Sequence, residues 1–127
     1  MKRITVGTKE KIQVANITGQ VTDSLKTRDG FIVLHIPHTT AGLAINENEE
    51  NLRQDMVSFY GELAKGNWKH NRIDNNAEAH LAATTLNSSL VIPVSNGELA
   101  LGTWQSILLI ELDGPRERSV YISELSA

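Results

Sequence analysis

The chain has 127 residues, 40% of them apolar and 21% charged, which suits one globular domain (1–127) with one core. A formal net charge of −3 leaves no basic footprint for nucleic acid, and no apolar run approaches the ~20 residues that a membrane span needs. Cysteine is absent, so disulfides, thiolate chemistry and zinc–thiolate sites are excluded and the cytoplasm is the default compartment. Any metal must use His, Asp, Glu, Asn or backbone oxygen.

Met1-Lys2-Arg3-Ile4-Thr5 is basic but no apolar segment follows, so it does not read as a secretory signal. Residues 2–6 and 10–15 alternate weakly about Gly7-Thr8-Lys9, which predicts two strands joined by a turn. Ile17, Val21 and Leu25 recur every four residues. With Thr18 as a cap, Lys26 and Arg28 in the last turn and Gly30 beyond, they predict a helix over 18–28. Phe31–Ile36 reads as a strand apolar on both faces, stopped by Pro37, with His35 as a packing residue. Leu43-Ala44-Ile45 is extended up to Asn46.

Asn46 with Glu49 has the form of a capping box, and Leu52, Met56, Phe59, Tyr60 and Leu63 make an apolar stripe. A helix over 47–65 follows. Asn67 to Asn76 is a polar loop; Asn75 with Glu78 repeats the capping pattern before a short helix over 77–86. Leu90–Val94 is a strand carrying Pro93, and Asn96-Gly97 is a hairpin turn returning through Glu98 to Leu101. Ile107-Leu108-Leu109-Ile110 lies in a strand over 106–112 that reads as buried on both faces. Gly114-Pro115 turns the chain into a closing strand over 118–122. Seven or eight strands and three helices without βαβ alternation indicate an α+β fold around a mostly antiparallel sheet.

The spacing of His38, His70 and His80 matches no compact zinc motif such as HExxH, and ordinary surface histidines are the competing reading. Their neighbours supply neutral donors and acceptors: Thr39 and Thr40 after His38, and Asn71, Asp74, Asn75 and Asn76 after His70. A polar ligand needs such groups. Arg116, following Gly-Pro, either clamps an oxyanion with its planar fork or makes a surface ion pair. No phosphate-binding glycine loop and no GxSxG elbow is present.

These segments, in order, are Pro37-His38-Thr39-Thr40-Ala41, Ile45-Asn46-Glu47-Asn48, His70-Asn71, Asp74 to Leu81, Gly102-Thr103-Trp104-Gln105 and Glu111 to Arg116. Together they closely resemble the YjbQ family, also described as secondary thiamine-phosphate synthases. The likeness runs from about Thr5 to Ser123. It implies a compact α+β homotrimer with a site near subunit boundaries, built from His38, Thr39, His70, Asn71, Asn76, His80, Trp104, Gln105 and Arg116, with Thr40 and Asp74 as further substrate contacts. It also implies a divalent metal ion, zinc or magnesium, on His38, His70 and His80, and no organic cofactor. Asp74-Asn75-Asn76 usually reads Asp-Gly-Asn there, and a left-handed Asn75 would explain the exchange.

The implied reaction joins hydroxymethylpyrimidine diphosphate to thiazole phosphate and releases diphosphate, with His38, His70, His80 and Arg116 catalytic. Two other readings fit the same residues. One is a metal-dependent hydrolase of a small phosphorylated substrate; the other is a trimeric, non-catalytic ligand-binding module. Neither nucleic acid nor membrane is an expected partner.

Overall fold

The computed structural model describes residues 1–127. In chain order the elements are β1 (Lys2–Gly7), β2 (Gln13–Asn16), α1 (Thr18–Ser24), β3 (Gly30–His35), β4 (Ala41–Asn46), α2 (Glu50–Leu63), a 3-10 turn (Lys69–Arg72), α3 (Ala77–Ala83), β5 (Ser89–Ser95), β6 (Glu98–Leu99), β7 (Ser106–Glu111) and β8 (Glu117–Ser126). The strands form two antiparallel sheets, ordered β1-β8-β3-β5-β6 and β2-β7-β4. The α+β reading with eight strands and three helices holds. No helix is long and apolar enough to cross a membrane.

β7 is the element that two cores share. Ile107 and Leu109 join a cluster with Ile32, Leu34, Ile92, Val120 and Ile122 of the larger sheet. Ile110, with Leu112 just beyond the strand, packs instead on Ala79 and Ala82 of α3. Alternate side chains thus enter cores on opposite faces, and burial of each large aliphatic contributes about 1.5–3 kcal/mol.

β3 departs from its expectation of burial on both faces. Ile32 and Leu34 are buried, but Phe31 is 46% exposed and His35 faces solvent. The larger sheet is covered on one side only, so its strands alternate. His35 is therefore not a packing residue; its Nδ1 lies 2.7 Å from Ser89 Oγ on the outer face.

The first two strands do not pair with each other. β1 pairs with β8 and β2 with β7, so Thr8 and its neighbours cross between sheets rather than forming a hairpin. α1 stops at Ser24 instead of 28, because Glu124 Oε1 accepts from the backbone N–H groups of Lys26 and Thr27 at 2.7 and 2.8 Å. α2 starts at Glu50 rather than 47. Its N-cap is Glu49, whose two carboxylate oxygens accept from Asn51 and Leu52 N–H, while Asn46 ends β4. The hairpin turn stands as read, with Asn96 and Gly97 at φ 53 and 77.

Candidate functional site

The ends of β3 and β7, the start of β8 and the segment entering α3 meet at one end of the molecule. There they enclose a cavity of about 350 Å³ lined by Pro37, His38, Thr39, Thr40, Asp74, Asn76, His80, Asp113, Arg116 and Arg118. Apart from Pro37 the lining is wholly polar or charged. A groove of about 680 Å³ between β2 and α2 is roomier, but it holds no histidine and its charged groups are Glu10, Lys11, Glu50 and Arg53.

Beneath the cavity lies an ion pair. Arg118 donates through Nε to Glu111 Oε1 at 2.9 Å and through Nη2 to Glu111 Oε2. Nη2 also donates to Thr40 Oγ1 at 2.9 Å, and Thr8 Oγ1 donates to Glu111 Oε1 at 2.7 Å. Burial alone would push the Glu111 carboxyl up; the hydrogen bonds from Arg118 and Thr8 outweigh it and hold it below its ordinary value. Thr40 is thus buried under Arg118, whereas Thr39 is exposed at the cavity.

Asp113 is a second hub. It takes Lys11 Nζ at 2.6 Å, Asn76 Nδ2 at 3.0 Å and Arg116 Nη2 at 3.0 Å. Burial opposes ionisation here too, but these three donors carry its pKa from 3.8 down to about 2. Arg116 also donates through Nε to Asp113 O, so its fork is braced while the side chain stays 51% exposed. Gly102-Thr103-Trp104-Gln105 supplies nothing to this hub.

The three histidines differ. His38 is half-buried, and burial with the nearby Arg118 and Arg116 charges lowers its pKa against the pull of Glu111. Its Nε2 accepts from Ser119 N–H at 2.9 Å. His70 is exposed, with Nε2 3.0 Å from Asn76 Oδ1. His70 and His80 meet edge to face, with ring centroids 4.7 Å apart. His80 faces the polar cavity on one side. On the other it lines an adjoining cavity of about 670 Å³ with Trp68, His70 and Leu81.

The expected metal set does not fit this arrangement. No group of three or more His, Asp or Glu side chains is gathered to hold an ion. The His38 Nε2 lone pair is already engaged by Ser119, so no chemical step is assigned to a metal held by the three rings.

Several expected substrate contacts have other tasks. Asn71 Oδ1 accepts from Ala77 N–H at 3.0 Å and so caps α3, the role expected of Asn75. Asn75 is not left-handed, since Asn96 is the single non-glycine residue with positive φ. Trp104, 73% exposed, and Gln105, which accepts from Gly102 N–H, precede β7, whereas Asp113 and Arg116 follow it. A six-residue strand separates them by roughly 20 Å. One chain therefore does not bring them to the cavity.

Glu111, Asp113, Arg118, Thr8, Lys11 and Trp68 were missed as site residues by sequence reasoning. Asp113 stood in the Glu111 to Arg116 segment without a role, and an alternation signal existed for two others. Glu111 continues the 107, 109 alternation and Arg118 begins the 118, 120, 122 alternation, so both belong to core-facing positions where a charge needs a partner.

Residues 2–126 match the family described as UPF0047 protein YjbQ-like. A UPF0047 protein of Archaeoglobus fulgidus is 46% identical over 96% of this chain and 98% of its own, and Bacillus subtilis YugU is 35% identical over 96% of each. Among solved structures, a hypothetical protein of Aeropyrum pernix K1 superposes with a TM-score of 0.96 at 47% identity, covering 99% of this chain and 98% of that one. A YbjQ-like protein of unknown function from Sulfolobus solfataricus P2 gives 0.92 at 39% identity, covering 99% and 96%.

Proposed function

The chain belongs to the UPF0047 (YjbQ-like) family, and we propose that it binds a small phosphorylated substrate and displaces diphosphate from it, as a thiamine-phosphate-synthase-like transferase. The observation that carries this reading is the place of His80 between two unlike cavities. The polar one suits phosphate oxygens: Arg116 presents a braced fork and Thr39 a hydroxyl, above the charge-neutral Arg118–Glu111 pair. The one beside Trp68 and Leu81 suits a flat heterocycle. The bond to diphosphate then breaks near His80 while the second substrate bonds to the freed carbon. Charge leaving on diphosphate is met by Arg116 and by N–H donors, and little base catalysis is required.

The test is incubation with hydroxymethylpyrimidine diphosphate, with and without thiazole phosphate and magnesium. Thiamine phosphate and diphosphate in equal amounts, lost in His80→Ala, are the expected result. Diphosphate release that ignores thiazole phosphate would point to the hydrolase instead. Binding with no release would leave a ligand-binding module.

We propose also that the chain works as a homotrimer. Phe31, Val91 and Leu125, 46%, 63% and 57% exposed, lie on the uncovered face of the larger sheet, where Phe31 pairs with Leu125 and Val33 with Val91. Such a surface favours association. A second copy also offers a way for Trp104 and Gln105 to reach a cavity that their own chain denies them. Sedimentation equilibrium should return three times the chain mass, and a monomer mass at micromolar protein would end this proposal.

A further inference from the structure

Ser119 lies on β8, which pairs with β3 up to His35↔Tyr121. Extending that register by two residues places Pro37 opposite Ser119. The strand has ended there, and the His38 ring takes the Ser119 N–H at 2.9 Å through Nε2. A backbone N–H can only donate, so Nε2 holds a lone pair. A neutral imidazole with a bare Nε2 carries its proton on Nδ1. No protein acceptor meets that Nδ1, and the ring lines the polar cavity.

We propose that His38 is a fixed Nδ1–H donor for an oxyanion bound in the cavity, and neither a base nor a metal ligand. The tautomer follows from the Ser119 contact alone; the oxyanion rests on the functional reading above. A phosphate or diphosphate oxygen accepts from this ring, whereas a cation finds no free lone pair on it.

His70 is held the other way. Asp113 accepts from Asn76 Nδ2, which turns Asn76 Oδ1 toward His70 Nε2. His70 therefore donates through Nε2 and keeps its lone pair on Nδ1. Donor and acceptor are divided between the two rings before any ligand arrives, and Asp113 acts on His70 as a positioning residue through Asn76.

Long-range ¹H–¹⁵N correlation spectra of the histidine-labelled chain at neutral pH read the tautomers directly. His38 should be protonated on Nδ1 and bare on Nε2, and His70 the reverse. A His38 ring protonated on Nε2 would overturn the proposal. Inorganic diphosphate is the ligand probe. His38→Asn keeps an amide donor near the Nδ1 position, whereas His38→Gln places its amide near Nε2, where Ser119 N–H holds the carbonyl oxygen. Losing a donor to a charged oxygen should weaken diphosphate binding by about tenfold or more in His38→Gln, and clearly less in His38→Asn. Unchanged binding in a folded His38→Gln would also overturn the donor role. A wild-type chain showing the Nδ1–H tautomer but binding no diphosphate would uphold the tautomer and remove the oxyanion, and with it the phosphate reading of the cavity.

Discussion

Glu111 and Arg118 stand seven residues apart and form a two-pronged ion pair with side chains 0% and 4% exposed. The pair closes the open end of the sandwich just beneath the cavity, and Thr8 and Thr40 occupy further hydrogen-bonding positions on it. Glu111→Gln would leave the Arg118 charge buried without a counter-charge. Removing one member of a buried pair costs about 3–5 kcal/mol, whereas replacing both by apolar groups of similar size is often far milder. Urea unfolding should therefore rank Glu111→Gln well below the Glu111→Leu, Arg118→Met double variant in stability. Equal loss in both would show that the unpaired Arg118 charge is not what destabilises Glu111→Gln.

The Asp113 hub predicts an acid-sensitive step. Its folded-state pKa lies below the unfolded one, so the stabilisation is present above 3.8 and is lost as pH falls from 3.8 through about 2. The shift corresponds to about 2 kcal/mol at most. Salt will trim it, since Lys11 and Arg116 are 60% and 51% exposed. Asp113→Asn should be less stable than the parent at neutral pH, and the difference should close in that acid window. A constant gap across the window would contradict the ion-paired assignment.

His38 has the same sign from the opposite chemistry. Its pKa is lowered from 6.5, so the folded state resists a proton that the unfolded chain accepts. Stability is full above 6.5 and declines as pH falls below it toward the folded value. His38→Asn cannot titrate and should flatten this part of the stability curve. Melts from neutral to mildly acidic pH check it, and an unchanged slope would assign the loss to other groups.

How far the fold was legible depended on what lay beneath each pattern. The run at 107–110 was readable because β7 is buried on both faces by different partners. The run at 31–36 looks the same in sequence, yet one of its faces is bare. Composition does not say whether a second layer exists. The end of α1 departed from its pattern because a distant carboxylate, Glu124, decided it; α3 starts at Ala77 as expected, but Asn71 rather than Asn75 caps it. In the candidate site, His38, His80, Asn76 and Arg116 were visible in motifs. Arg118 lay outside them, and Glu111 lay in one without a role, because their significance lies in facing each other across the sheets.

His35→Ala and Gly42→Ala make a contrasting pair. His35 is exposed and bonds Ser89 on the outer face, so its removal should stay within about 0.5 kcal/mol. A Cβ on Gly42 would come within 2.5 Å of Leu86 Cβ and 2.9 Å of its Cδ1, where β4 passes under the end of α3. Overpacking of that kind costs about 1–3 kcal/mol. Thermal melts should separate the two variants clearly, and the opposite order would refute the packing of α3 on the smaller sheet.

Arg116→Lys tests whether the fork, rather than charge alone, serves the cavity. The side chain is 51% exposed and its bonds all go to Asp113, so little folding energy depends on it. Lysine keeps the positive charge and can still approach the Asp113 carboxylate. It cannot brace on the Asp113 carbonyl and also present a planar pair of N–H groups outward. Stability should therefore change by about 0.5 kcal/mol or less, while affinity for diphosphate falls by about tenfold, the loss of one charge-assisted hydrogen bond. Calorimetric titration with diphosphate beside a urea melt of the same protein gives both quantities. Wild-type affinity in Arg116→Lys would show that positive charge alone suffices at this position and that the planar fork has no part in holding the anion.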